Sequence, residues 1–155
     1  MAGERAKLVP AVHLLLVKDG RVLLSRRFNT GWEDGKWSVP AGHVDQGETV
    51  TEAMAREVRE ETGILVNKDD LLFLHVMHRR SSGERSRAEN DRVDFFFTAD
   101  RWQGEPNIME SHKCDAMEWF PIDALPPDTV AYVRAGIEHA FKKKPFSEFG
   151  WNGRR

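Results

Sequence analysis

Apolar positions change their spacing along the chain, and each change marks an element. Val9 to Val17 is rich in Val and Leu and reads as a strand. Asp19-Gly20 supplies a hairpin turn, and Arg21 to Arg27 returns as a second strand. Its period of two puts Val22, Leu24 and Arg26 on one face and Leu23, Ser25 and Arg27 on the other. Gly31, Asp34 and Gly35 make Phe28 to Gly35 a loop, and Pro40 ends the short strand Lys36 to Val39. From Thr49 the period lengthens. Val50, Met54 and Val58, with Ala53 beside them, form the core stripe of a helix. Thr49 and Glu52 have the spacing of a capping box at its start, and Gly63 after Thr62 is a left-handed stop.

Period two then resumes in Leu71 to Arg80, where Leu72, Leu74 and Val76 oppose Phe73, His75 and Met77; His75 is read as a satisfied interior histidine. Arg92 to Thr98 is its hairpin partner. The polar Ser81 to Asp91 between them, with Arg79, Arg80, Arg85 and Arg87 in or beside it, is either a solvated loop or a lid over phosphates. A second loop, Gln103 to Lys113, leads to a strand Ala116 to Pro121. Asp128-Thr129 is expected to cap a last helix to about Lys142, with Val130, Val133, Ile137 and Phe141 as its stripe. Phe146, Phe149 and Trp151 in the tail either dock on the body or leave the tail disordered. Strands flanking one helix, with a second helix at the end, predict an α/β fold: layers of α/β/α around a mixed sheet.

The chain has 155 residues, enough for one domain with its own core. We expect a single domain over 1–155, with 1–7 and 143–155 as peripheral tails. Net charge is −2, so no global field favours a nucleic-acid polymer. The one cysteine, Cys114, cannot form a disulfide within the chain, which suits a reducing, cytoplasmic setting; it reads as a small filler or, with His112, as a nucleophile. No long apolar run follows the charged N-terminus, so neither a signal peptide nor a membrane span is expected.

The chemistry concentrates on the first helix. At ~100° per residue, Glu57, Glu60 and Glu61 fall within roughly 100° of one face, next to the core stripe. Like charges at this spacing repel, and they crowd the helix end whose dipole disfavours them. The face is either simply solvated or a seat for a hard divalent cation, which prefers oxygen ligands. The two arginines closing a strand, Arg26 and Arg27, are either its wet end or a phosphate grip, for which the guanidinium fork is suited.

Gly42, then Glu48, then Arg56-Glu57-Val58-Arg59-Glu60-Glu61-Thr62-Gly63-Ile64 resembles the Nudix box at every defining position. The lead-in Trp37-Ser38-Val39-Pro40-Ala41-Gly42, the strand Val22 to Arg27 and the later Glu118-Trp119-Phe120 extend the resemblance over about Leu8 to Pro126. It implies the Nudix sandwich and an Mg²⁺-dependent hydrolase (Mn²⁺ as substitute) of a nucleoside diphosphate linked to another group. Glu57, Glu60, Glu61 and the Gly42 carbonyl would bind the metal. Glu57, Glu60 and Arg56 would be the catalytic set, with Glu57 the base within the box and Arg56 and Glu48 bracing the ligands. Arg27, then Arg26, would meet substrate phosphate, and Trp32, Trp119 or Phe120 would pack the leaving moiety. The loop QGEPNIMESHK resembles that of the nucleotide-pool sanitising branch, where a glutamate supplies another ligand or the base. Glu110 is the match, although His112 stands where an acid is expected. The implied partner is a small-molecule diphosphate: a nucleoside triphosphate, standard or oxidised, or else a sugar-linked, dinucleotide or prenyl diphosphate. A nucleotide sensor that binds without cleaving is the alternative of another class, and a homodimer is left open.

Overall fold

A computed structural model describes residues 3–83 and 86–152. Among these residues, nine strands and two α-helices follow in order: β1 (Val9–Leu14), β2 (Val17–Lys18), β3 (Arg21–Arg27), β4 (Trp37–Ser38), β5 (Ala41–His43), α1 (Val50–Thr62), β6 (Leu71–Arg79), β7 (Arg92–Ala99), β8 (Cys114–Pro121), α2 (Ala131–Phe141) and β9 (Phe146–Phe149). Among the described residues, no helix is long and apolar enough to cross a membrane.

The expected first strand divides in two. β1 belongs to a mixed sheet of order β5-β1-β7-β6-β9, while β2, β3, β4 and β8 form a second sheet. The chain crosses between them at Leu15-Leu16: the Leu15 amide donates to Phe97 O at 2.7 Å, and Leu16 O accepts from the Leu23 amide at 3.0 Å. Both leucines are fully buried. Pro40 returns the chain from β4 to β5, its carbonyl accepting from Leu14. That return creates a strand at Ala41–His43 which the sequence pattern does not announce.

Because strands alternate, the first sheet offers two apolar faces. Val12, Leu14, Leu23 and Phe97 pack with Ala53, Met54 and Val58 of α1. Leu15, Met77 and Phe96 pack with Val133 and Ile137 of α2. Helices thus cover both faces, giving the expected α/β/α layering.

The local signals of α1 hold. Thr49 and Glu52 form the reciprocal capping box, and Gly63 caps the end at φ 78°. At α2 they do not. Thr129 donates its hydroxyl to Pro126 O, so it closes the preceding turn, and Val130 stands at the cap with no side-chain hydrogen bond. Phe141 leaves the stripe and is exposed; Tyr132 and Ala140 take the buried positions. A register shift between Phe73 and His75 interrupts the alternation of β6 and leaves Leu72 and Phe73 both exposed.

The segment after Lys144 is a fifth strand of the first sheet. β9 runs parallel to β6, pairing Val76 with Phe146 and Arg79 with Phe149. His75 fastens it: Nδ1 donates to Lys144 O, since a carbonyl can only accept, and Nε2 is hydrogen-bonded to Ser147 Oγ, both at 2.7 Å. His75 is therefore a satisfied interior histidine.

α2 sits unusually close to its sheet at Gly136, where a Cβ would lie 2.3 Å from Phe96 Cζ. In a helix interior, Gly→Ala normally gains about 1 kcal/mol. Here the buried Phe96 ring has to yield, and overpacking a core costs ~1–3 kcal/mol. Gly136→Ala should therefore lower stability by about 1–2 kcal/mol in denaturant unfolding; a gain would mean that Phe96 moves freely.

Candidate active site

A cleft of about 780 Å³ opens between the two sheets and α2, reaching from α1 to β9. Its acidic mouth is built by one close approach. An ideal Cβ at Gly42 would fall 2.0 Å from Glu57 Cδ, so only glycine admits the carboxylate. Gly42 pairs with Val12, which puts it on the α1 side of the sheet where Glu57 reaches it. Glu61 Oε2 accepts from the Ala41 amide at 2.9 Å.

Arg56 gathers the other carboxylates. Its Nε and Nη2 donate to the two oxygens of Glu48 at 3.0 and 2.6 Å, and Nη1 donates to Glu57 Oε1 at 2.8 Å. The same guanidinium reaches His43 O at 3.1 Å and Glu60 Oε2 at 3.4 Å. Glu60 is the outermost of the set, with its side chain 47% exposed. The second loop brings in Glu110. Asn107 N donates to Thr62 O and Met109 N to Glu61 O, binding the loop to the end of α1. Glu110 then lies close enough for its charge to act on both Glu57 and Glu61.

The electrostatics follow from this packing. Hydrogen bonds from Arg56 hold the Glu48 carboxyl down to about 2. Burial pushes Glu57 up, against the pull of Arg56, and pushes Glu61 well above the usual carboxylate range; Glu57 and Glu110 add repulsion at Glu61. Burial likewise raises the Cys114 thiol, which donates to Ala116 O and is no ready nucleophile.

Among the described residues, no three His, Cys, Asp or Glu side chains already stand in a metal-ligating arrangement. The hydrogen bonds explain it: Arg56 draws Glu57 and Glu60 toward itself, and Ala41 holds Glu61. The donor set nonetheless fits a hard divalent cation. It is all oxygen, and the ionised forms of Glu57 and Glu61 are penalised in a way that a nearby cation would relieve.

The opposite wall carries the arginines. Arg26 makes a bidentate pair with Asp115 at 2.8 and 3.1 Å. Arg27 donates to Trp32 O at 2.8 Å and Thr30 Oγ1 at 2.9 Å, and lies 4.8 Å over the Trp32 ring. Arg27 thereby shapes the loop that presents Trp32. Arg26, Arg27, Trp32, Glu110 and Lys113 all line the cleft. Trp119 does not: it packs against the α1-side core, paired with Leu23. Phe120 is built into the opposite core, edge-on to Trp37 at 4.8 Å.

The cleft floor is a network that the sequence reading missed. His13 Nε2 lies 3.1 Å from Tyr132 Oη and 3.8 Å from Asp94 Oδ1. Arg79 donates to both Asp94 oxygens, at 2.6 and 3.1 Å, and stacks 3.8 Å over the Tyr132 ring. Arg79 is therefore part of the body, as is Arg80, which stacks 4.0 Å over Trp151. Arg87 pairs with Glu89 at 3.5 Å on the surface, and Arg85 lies outside the described residues. The one available signal was Asp94, a carboxylate on the strand facing Arg79, and it becomes legible only once the β6–β7 register is known.

The NUDIX domain family matches residues 7–141, and the chain belongs to that family. It is 31% identical over 134 residues to an NAD-capped RNA hydrolase NudC of Vibrio parahaemolyticus, covering 85% of this chain and 46% of that protein. It is 34% identical over 114 residues to an oxidized purine nucleoside triphosphate hydrolase of Danio rerio, covering 73% of this chain and 66% of that protein. The chain thus spans about half of the first relative's length and about two thirds of the second's. The crystal structure of a MutT NUDIX hydrolase from Burkholderia pseudomallei superposes with a TM-score of 0.73 at 30% identity, covering 85% of this chain and 97% of that one.

The floor makes stability depend on pH. Burial lowers His13 to about 4, while the unfolded chain keeps an ordinary value of ~6.5. Between those values the unfolded state takes a proton that the folded state refuses. Stability from His13 is complete above the unfolded value and is lost as pH falls toward the folded one. At ~1.4 kcal/mol per pKa unit the loss approaches about 3 kcal/mol. Glu57 and Glu61, being raised, act in the opposite direction over the acid range, so the measurement is a difference. The stability of wild type minus that of His13→Gln should fall as pH drops from ~6.5 toward ~4. A difference that does not change with pH would mean His13 is charged in the fold.

Proposed function

We propose that this chain is a Nudix hydrolase that cleaves a phosphoanhydride bond of a nucleoside triphosphate, standard or oxidised, to monophosphate and pyrophosphate, with Mg²⁺ as the metal. The reading rests on the mouth of the cleft. Partly buried carboxylates converge there on Gly42 of β5, facing arginines across a space suited to a small ligand. The relatives support the wider class, since one is by name an NAD-capped RNA hydrolase and another an oxidized purine nucleoside triphosphate hydrolase.

Glu57, Glu60 and Glu61, with the Gly42 carbonyl, are assigned to hold the cation, and Arg56 with Glu48 to orient them. When bound, the ion neutralises phosphate oxygens and acidifies water. Arg56 occupies Glu57 Oε1, so Oε2 is the oxygen left to take a proton from the attacking water. Burial raises Glu57 above the usual carboxylate value, which makes it a stronger base. The water oxygen bonds to phosphorus, the P–O bond bridging the α and β phosphorus atoms breaks, and the leaving group, pyrophosphate or the nucleoside monophosphate, departs with that electron pair. Arg27 and Arg26 are assigned to the phosphate chain, which would draw them from Trp32 O and Asp115 respectively.

A hydrolysis screen over nucleoside triphosphates, a sugar nucleotide, a dinucleotide, a prenyl diphosphate and a capped RNA identifies the substrate. Turnover should require Mg²⁺ or Mn²⁺ and stop in excess EDTA; unchanged turnover in EDTA would sink the metal assignment.

Glu61→Gln keeps the shape and removes the charge. It should cost at least roughly a hundredfold in kcat/KM. Metal-free Tm should hold or rise, because an amide escapes the burial penalty on the carboxylate. Near-normal turnover by this variant would exclude Glu61 as a ligand.

A further inference from the structure

The family match ends at residue 141, yet the cleft does not. Its wall opposite the acidic mouth includes Phe149, in a strand that lies beyond the matched region. In the first sheet, β5 carries Gly42 at one edge and β9 carries Phe149 at the other. Four strand spacings separate them, roughly 19 Å. The cleft is therefore elongated, with the carboxylate cluster at the Gly42 end.

Phe149 pairs with Arg79, so its side chain shares the face that Arg79 presents to Tyr132. Phe149 and Trp32 both pack against the cluster that contains Tyr132, and Trp32 lies 6.2 Å from the Tyr132 ring. Three aromatic side chains thus share one side of the cleft, and of these Phe149 is the one carried by the sheet edge remote from Gly42.

The strand that delivers Phe149 is clamped at both ends. His75 holds Lys144 and Ser147. Past the strand, Trp151 Nε1 donates to His78 O at 3.1 Å, and the indole lies against the His78 ring at 4.6 Å and the Arg80 guanidinium at 4.0 Å. Trp151 itself does not line the cleft. Two histidines and an arginine of β6 and its end thus fix a short strand whose one cleft-facing ring is Phe149.

We propose that residues 145–151 complete the substrate site, and that Phe149 is a specificity-determining residue whose ring stacks on the nucleobase. A base has a sequence-tolerant π-face that aromatic side chains recognise, and phosphate does not. The proposal rests on the function assigned above, for which it names the residue that holds the nucleoside end.

The test uses the two products, one with a base and one without. Binding of AMP, GMP, CMP and UMP, and separately of pyrophosphate, is measured by calorimetry with Mg²⁺ for wild type, Phe149→Ala and Trp151→Ala. Thermal unfolding confirms that each variant is folded. Phe149→Ala should weaken the tightest monophosphate about tenfold and leave pyrophosphate unchanged. Trp151→Ala should shift the same ligand in the same direction by loosening the strand. Phe149→Trp should restore binding. An unchanged monophosphate affinity in Phe149→Ala, equal losses for both ligands, or no monophosphate binding by wild type would overturn the role of Phe149. A wild-type affinity in Trp151→Ala would overturn the clamp. Wild type that binds a monophosphate but hydrolyses no triphosphate would refute the proposed activity and leave this subsite standing.

Discussion

The mouth of the cleft depends on where one guanidinium goes. Glu57, Glu60 and Glu61 crowd the C-terminal half of α1, and Glu110 is pressed toward them by the loop that binds the helix end. Arg56 offsets much of that repulsion. It spends its planar fork on both oxygens of Glu48, on Glu57 and on His43 O, so helix, turn and strand share one set of donors. Acid remains in excess around it. That excess, together with the penalised burial of Glu57 and Glu61, separates this face from an ordinary solvated helix.

The placement of that helix is a matter of sheet geometry. The chain changes sheets at Leu15-Leu16 and again at Pro40, each time through backbone hydrogen bonds to the sheet it is leaving or entering. The second crossing leaves β5 only three residues long, at an edge. On such an edge strand, alternate residues serve opposite faces: Gly42 meets α1, while Ala41 pairs with His13 on the α2 side. The acidic helix and the floor network can therefore border one cleft although they belong to different faces. The close contact of Gly136 with Phe96 sets α2 low over the same floor.

Much of this was legible in the chain. The capping box, the Gly63 stop, the Asp19-Gly20 turn and the core stripe of α1 all stand as their residues predict, because each depends on contacts within a few positions. The α2 start was misread for an equally physical reason. Thr129 had a nearby carbonyl, Pro126 O, that competes with the helix for its hydroxyl. Trp119 looked like a substrate aromatic but packs in the core, since alternation along β8 and pairing with Leu23 turn it toward α1.

The sequence by itself determined the carboxylate face, because helical period is local and places Glu57, Glu60 and Glu61 together wherever the helix lies. It also determined that Gly42 precedes that helix, and it supplied the arginines. Only tertiary structure decided which groups these residues meet. The approach of Glu57 to Gly42, the partition of Arg26 to Asp115 and Arg27 to Trp32, the pairing of Arg79 with Asp94, and the docking of β9 on β6 join residues far apart in the chain. Such contacts follow from register, strand crossing and close packing. A one-residue slip in any strand would exchange its faces, and no spacing within a segment specifies the partner that prevents it.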